Sequence, residues 1–383
     1  MNIGIDKMSF YSPTQYIDMR ELAAWRDVDP NKYTIGLGQD EMAIPFPSQD
    51  AVTLATNAAY KILDEDDRKQ IDLILFATES GLDFSKALSI YVHHLLEIQP
   101  NARSIEVKEA CYSGTAALQL AKTYVAQNPD KKVLILNSDI SRYGLNTPGE
   151  PTQGAGAIAM IISRNPRLLL LEDEASYYSE HIMDFWRPNY SDVAFVDGKY
   201  SNEQYQRFFK ITYNDYLKKY NRTIEDFEAF CFHIPYTKIG LKALRTIADE
   251  HHNEELFENY QASIKYNRRV GNVYTASLFL SLLSLLDSKK LKANDRIGLY
   301  SYGSGSVGEF FSMKVVDDYQ NHLYPLHNQE LSERNKITQE EYEKQFNFKL
   351  PSDGSTLNLD HSSDKGPFVL DKVADHIRYY KKK

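Results

Sequence analysis

Residues 109–139 read EACYSGTAALQLAKTYVAQNPDKKVLILNSD. A cysteine and a run of small residues open a helix-like segment, a polar link follows, and the stretch closes on a continuous branched strand. A helix feeding a buried strand is the building unit of α/β chains with largely parallel sheets. The earlier run IDLILFATES (residues 71–80) supplies a further buried strand, so the alternation predicts an α/β chain.

The same plan recurs in GNVYTASLFLSLLSLLDSKKLKANDRIGLYSYGSG, residues 271–305: a small-residue turn, a helix, a polar link and a buried strand. The two units share architecture rather than letters. We read them as an internal duplication, one half near residues 1–165 and the other near 230–316. The aromatic, polar, helix-like stretch at about 172–228 suits an inserted cap. MNIGIDKMSFYSP reads as an alternating strand rather than a signal peptide, and the chain beyond Val316 reads as polar and irregular, with SDGSTLNLDHSSDKG an exposed loop.

At 383 residues the chain can bury a large core as two domains or one layered unit. No window approaches the roughly 18 apolar residues of a membrane span. A net charge of -9 argues against general binding to nucleic acid or anionic membrane, so a phosphate-bearing ligand needs a local basic patch. Two cysteines make no disulfide framework, which leaves a cytoplasmic location as the expectation.

Five places can carry chemistry. Cys111 at a helix entrance would meet unpaired N–H groups and the positive dipole end, which favour a thiolate and hence a nucleophile; otherwise it is a small buried hydrophobe. Glu79 ends a buried strand, where ligands bind in open α/β sheets, and is either a general acid or base or a solvated strand-end carboxylate. His233 follows the apolar run FEAFCF and is either a carbonyl-polarising group or a satisfied core histidine. Lys238 and Lys242 share one helix face and either bind phosphate or face solvent. Gly303-Ser304-Gly305-Ser306-Val307-Gly308 matches G-x-G-x-x-G, but the strand-like EFFSMKVV follows where a dinucleotide site needs a helix. The glycines therefore read as a tight hairpin, with a backbone N–H available as an oxyanion donor. The histidine pairs at His93 and His251 lack zinc-site spacing, so no metal is expected.

In order along the chain, VDPNKYTIGLGQ, ATES with Glu79, EACYSGTAALQLA with Cys111, YGLNTPGEPTQGAGA, DFWRP, FHIPYTK with His233, GNVYTASL and SYGSGSVGEFF closely resemble 3-hydroxy-3-methylglutaryl-CoA synthase in its bacterial form, within the thiolase superfamily. The resemblance covers most of the chain. It implies a duplicated thiolase-like fold of five layers, αβαβα, with halves at 1–165 and 166–383 and the active site between them, usually in a homodimer. It implies a cytoplasmic acyltransferase of the mevalonate pathway. Acetyl-CoA acylates Cys111, Glu79 takes the methyl proton, and His233 binds the carbonyl of acetoacetyl-CoA, which the enolate attacks. Asn272 matches the acetoacetyl-binding asparagine and opens the second repeat as Cys111 opens the first. Asp29, Thr152, Ser201 and Lys242 match substrate and CoA channel positions, joined by Tyr143 and Lys238, while Cys111 and Ser304 supply oxyanion N–H donors. CoA thioesters are substrates, and no cofactor is implied.

Two departures stand out: Ala276 replaces an expected glycine, and Phe84 is bulkier than the alanine-rich run expected there. The competing readings are a ketoacyl synthase that starts fatty-acid synthesis, which needs no carboxylate base at Glu79, and a catalytically silent acyl-CoA-binding protein on the same fold. A thiolase would need a second cysteine near Ser304.

Overall fold

The structure is a computed structural model that describes residues 1–383. The first half runs β1 (Ile3–Tyr11), α1 (Ala51–Tyr60), β2 (Ile71–Ala77), β3 (Arg103–Val107), α2 (Ser113–Gln127), β4 (Lys132–Ser141) and β5 (Gly154–Arg164). The second runs β6 (Leu169–Ser179), α3 (Gly198–Tyr220), β7 (Ala229–Phe232), α4 (Thr237–Leu244), α5 (Ser277–Asp287), β8 (Arg296–Gly303) and β9 (Val307–Val315).

The nine strands form one sheet in the order β7-β8-β9-β6-β1-β5-β4-β2-β3. Reading outward from its centre, β1-β5-β4-β2 mirrors β6-β9-β8-β7. In each half the first two pairings are antiparallel and the third parallel. The duplication expected from two similar helix–strand units is therefore written into the topology.

Alternation along the strands explains the layers. On β4, Val133 and Ile135 join the central core while Leu134 and Leu136 face the opposite way, into the core under α1. On β5 the residues facing α1 include Ala155, Ala157 and Ala159, whose small side chains let that helix lie close. Helices α2 and α5 fill the middle, contributing to a core cluster of 42 residues drawn from both half-sheets. The run SLFLSLLSLL of α5 is buried throughout, as a helix apolar on all sides must be. Helices α3 and α4 cover the far face with an aromatic cluster. The result is five layers: helix, half-sheet, paired helices, half-sheet, helix.

Three details differ from the sequence reading. Strand β1 is buried on both faces rather than alternating, because it lies between layers. The stretch at 172–228 divides: it supplies β6 and α3, the counterparts of β1 and α1, and only residues 180–197, with a short hairpin pairing Phe185–Trp186 with Phe195–Val196, leave the layers. The chain after Val316 is more ordered than expected. It returns to the first half, where Asp364 is buried and accepts hydrogen bonds from Ser48 and Gln49, and a small sheet forms from Leu357–Asn358, Phe368–Ala374 and Ile377–Lys382. No helix is long and apolar enough to cross a membrane.

The half-sheets join where Gly4 pairs with Leu170 and Ile5 with Leu169. A Cβ on Gly4 would collide with the Leu169 carbonyl oxygen. Gly4→Ala is therefore expected to destabilise the fold by about 1–3 kcal/mol, the usual cost of overpacking a core, read from urea unfolding against the native chain.

Candidate active site

The site lies where the entrances of α2 and α5 meet. A Cβ on Gly114, in the first turn of α2, would stand 2.9 Å from the Thr275 carbonyl oxygen and from the Phe279 ring. Glycine is what lets the two helix entrances touch. Glu79, just past β2, reaches this contact through Cys111, and Asp139, near the end of β4, through Thr275; Gly303 at the end of β8 packs on Tyr112, with Ser304 following it, and His233 lies just past β7.

Both helix entrances have the same backbone. Ala110 takes a left-handed conformation at φ 43°, followed by Cys111 and, two residues later, the start of α2. Tyr274 does the same at φ 43°, followed by Thr275 and the start of α5. The positional counterpart of Cys111 is therefore Thr275, not Asn272 as the sequence reading had it. The two side chains have diverged in partner. The Cys111 Sγ lies 2.9 Å from Glu79 Oε1, whereas the Thr275 hydroxyl donates to Asp139 Oδ2 at 2.6 Å.

Asp139 binds the two halves together. Its Oδ1 accepts from the Glu79 amide at 2.8 Å, the Ser80 hydroxyl at 2.8 Å and the Thr78 hydroxyl at 3.0 Å, while Oδ2 accepts from the amide and hydroxyl of Thr275. Sequence reasoning passed over it, although it ends a buried strand as Glu79 does.

Burial sets the protonation of the site. Desolvation, and then the neighbouring charge of Asp139, push Glu79 from its ordinary 4.5 to about 8. Desolvation and the Glu79 carboxylate push the Cys111 thiol well above its ordinary range. This reverses the expected thiolate: Cys111 precedes the first turn of α2 rather than joining it, and desolvation and the adjacent carboxylate outweigh any pull from the helix end. Burial lowers His233 to about 3, so its imidazole is neutral at physiological pH. His233 is 2% exposed with Nδ1 unpartnered, while its amide donates to the Tyr300 carbonyl and its carbonyl accepts the Tyr205 hydroxyl.

The remaining expected residues separate into an inner and an outer group. Asn272 is buried; its Oδ1 accepts from the Tyr274 amide and the Ser277 hydroxyl, and its Nδ2 reaches the Tyr143 hydroxyl at 3.5 Å. The Tyr143 ring packs edge-on against Phe185 and Tyr274, which brings the 180–197 excursion over the site. Ser201 donates to Asp184 Oδ2 at 3.0 Å, and Asp184 also accepts the Tyr302 hydroxyl and the Gly305 amide, pinning the glycine hairpin. Ser304 sits in that hairpin, and neither its amide nor that of Cys111 has a backbone acceptor. The Thr152 hydroxyl turns back to the Gly149 carbonyl.

Asp29 and Lys242 are exposed and Lys238 half-buried. No hydrogen bond ties these three to Cys111. Helix α4, which carries the two lysines, packs through Thr237 on Leu37 and Gly38, a few residues after Asp29. Of the two departures, Ala276 is buried in the central core and Phe84 is 90% exposed on the loop after Glu79.

A neutral thiol hydrogen-bonded to a carboxyl group that can gain or lose a proton near neutral pH, beside free amide donors, is equipped to take an acyl group and to move protons around it. Fold and site together define an acyl-transferring enzyme of the thiolase superfamily. The family described as hydroxymethylglutaryl-coenzyme A synthase N terminal matches residues 1–166, and its C-terminal counterpart matches 171–255 and 241–379. The chain is 49% identical to the hydroxymethylglutaryl-CoA synthase of Enterococcus faecalis, over 100% of both chains. It is 31% identical to a polyketide-biosynthesis 3-hydroxy-3-methylglutaryl-ACP synthase of Bacillus subtilis (strain 168), over 100% of this chain and 99% of that one. A solved HMG-CoA synthase complexed with CoA superposes with a TM-score of 0.97 at 45% identity, covering 100% of both chains. This chain belongs to the hydroxymethylglutaryl-CoA synthase family.

The raised Glu79 has a consequence for stability. Below its unfolded value of 4.5 it is protonated in both states; as pH rises toward about 8 the unfolded chain ionises while the folded one holds its proton, so the group progressively disfavours folding. Glu79→Gln is neutral at every pH. Its melting temperature relative to native is therefore expected to rise between about pH 5 and pH 8 and to level off above that, and a difference independent of pH would contradict the assignment.

Proposed function

We propose that the chain condenses acetyl-CoA with acetoacetyl-CoA to give 3-hydroxy-3-methylglutaryl-CoA and free CoA, with Cys111, Glu79 and His233 as its catalytic residues. The Cys111 sulfur attacks the acetyl-CoA carbonyl, its proton passes to the departing CoA sulfur, CoA leaves as the free thiol, and the acetyl group stays on Cys111. The amides of Cys111 and Ser304 receive the oxyanion. Glu79 then removes a proton from the acetyl methyl, and the enolate carbon so formed bonds to the ketone carbon of acetoacetyl-CoA, whose oxygen becomes the product hydroxyl. Its value of about 8 leaves both forms accessible near neutral pH, which suits a group that must take and return protons. The neutral His233 imidazole donates to the ketone of acetoacetyl-CoA, and Asn272 with Tyr143 holds that substrate. Water cleaves the enzyme thioester, creating the product carboxylate and freeing Cys111.

Asp29, Thr152, Ser201, Lys238 and Lys242 line the CoA channel in this reading. The two lysines make no ion pair of their own on a chain of net charge -9, which favours a phosphate for them. The observation that carries the reading is the 2.9 Å contact between Cys111 and Glu79, together with a likeness to a CoA-dependent enzyme that runs the whole length of the chain. That likeness is stronger than the one to the ACP-dependent relative, and it favours CoA as the carrier.

The chain works in the mevalonate pathway, in the cytoplasm, where the free Cys111 thiol stays reduced. It acts as a homodimer. Support for that comes from β3, an edge strand of the sheet, where Ile105 is 47% exposed, and from the 90% exposed Phe84.

Intact-mass spectrometry after acetyl-CoA and then acetoacetyl-CoA tests these roles. The native chain is expected to gain one acetyl group and lose it on condensation. Cys111→Ser should gain none, and Glu79→Ala should acetylate but fail to condense. His233→Ala should acetylate and need at least tenfold more acetoacetyl-CoA. Condensation by Glu79→Ala at the native rate would remove Glu79 as the base.

A further inference from the structure

The inward face of β9 carries Phe311, Met313 and Val315, all in the central apolar core, and one exception, Glu309. Glu309 is 2% exposed, and its hydrogen-bond donors are neutral: the Tyr112 hydroxyl at 2.6 Å to Oε2 and the Gln119 amide at 2.7 Å to Oε1. Burying a carboxyl group without a cation is costly, and an apolar pair at positions 112 and 309 would pack the same space without that cost. The mechanism above makes no use of this group.

Its two partners identify what it acts on. Tyr112 follows Cys111 directly and caps α2, and Gln119 lies seven residues further along, two turns down the same helix face. Tyr112 is also packed on the glycine hairpin: a Cβ on Gly303 would stand 2.6 Å from Tyr112 Cβ and 2.8 Å from its amide nitrogen. Gly303 precedes Ser304. The chain segment carrying the nucleophile and the segment carrying the second oxyanion donor thus touch through Tyr112, and Glu309, on the strand that leaves that hairpin, grips Tyr112 from the second half.

We propose that Glu309 is a positioning residue for Cys111: by accepting the Tyr112 hydroxyl and the Gln119 amide it locks the entrance of α2 against the β8–β9 hairpin and sets the separation between Cys111 and the Ser304 amide. This rests on the acyl-enzyme reading given above. A hydrogen bond of this kind acts on the transition state for acylation, where sulfur, carbonyl carbon and amide donors must line up, rather than on the binding of acetyl-CoA.

The test is rapid-quench measurement of acetyl-Cys111 formation against acetyl-CoA concentration in full-length protein. Tyr112→Phe and Glu309→Leu are each expected to slow acetylation at saturation at least tenfold with KM within twofold. Glu309→Gln, which can still accept the Tyr112 hydroxyl, should stay within about threefold of native. The double variant Tyr112→Phe/Glu309→Leu should be no slower than the slower single, since the two groups act as one unit. If Glu309→Leu fails to fold, Tyr112→Phe, which deletes a single oxygen, decides. Acetylation by Tyr112→Phe within twofold of native, or a loss expressed only in KM, overturns the inference and leaves the acyl-enzyme reading intact. A native chain that forms no acetyl adduct overturns both.

Discussion

The carboxylate of Asp139 is the constraint on which the site depends. Five hydrogen bonds reach it, three from the Thr78–Ser80 turn that presents Glu79 and two from Thr275 in the other half. Loss of that group would free the Glu79 backbone and remove two of the hydrogen bonds that tie the entrance of α5 to the first half-sheet. Its charge also helps keep a proton on Glu79, so one residue fixes both the place of the proposed base and its proton affinity. Burial makes this possible, because in water the same charge would be screened to little effect.

Protonation follows from enclosure throughout the site. Glu79, Cys111 and His233 are all shifted toward their neutral forms, with desolvation the leading cause for each. A site of neutral groups suits a reaction in which negative charge appears first on a thioester oxygen and then on an enolate oxygen. Charge that develops there meets amide donors. In the proposed reaction the thiol must also surrender its proton, which leaves with the departing CoA.

Duplication supplied two equivalent helix entrances, and the halves have since divided the work. At each, a residue in the left-handed conformation turns the chain so that the next side chain faces the junction. In the first half that side chain is a thiol facing Glu79; in the second it is a hydroxyl spent on Asp139. The second half contributes His233, Asn272 and the glycine hairpin instead. A buried aromatic layer under α3, in which Tyr205, Phe208, Phe209, Tyr300 and Tyr302 pack on one another, makes the surface behind His233 stiff.

The sequence by itself determined the fold class, the repeated helix–strand unit and the positions of Glu79, Cys111, His233 and Asn272, because each of these is carried by local pattern: a strand's apolar run, a helix opening on small residues, or an ordered set of motifs. Only the tertiary structure decided what depends on groups brought together from far along the chain. The thiol state of Cys111 is one such case, since the helix-end effect legible in the sequence is outweighed by desolvation and a carboxylate 32 residues away in the chain. The pairing of Thr275 rather than Asn272 with Cys111, the tie through Asp139, the return of the C-terminal segment to the first half and the grip of Glu309 on Tyr112 are others. Hydrogen bonding and desolvation act through space at a few ångströms, and no spacing along one chain states which distant residues will share that space.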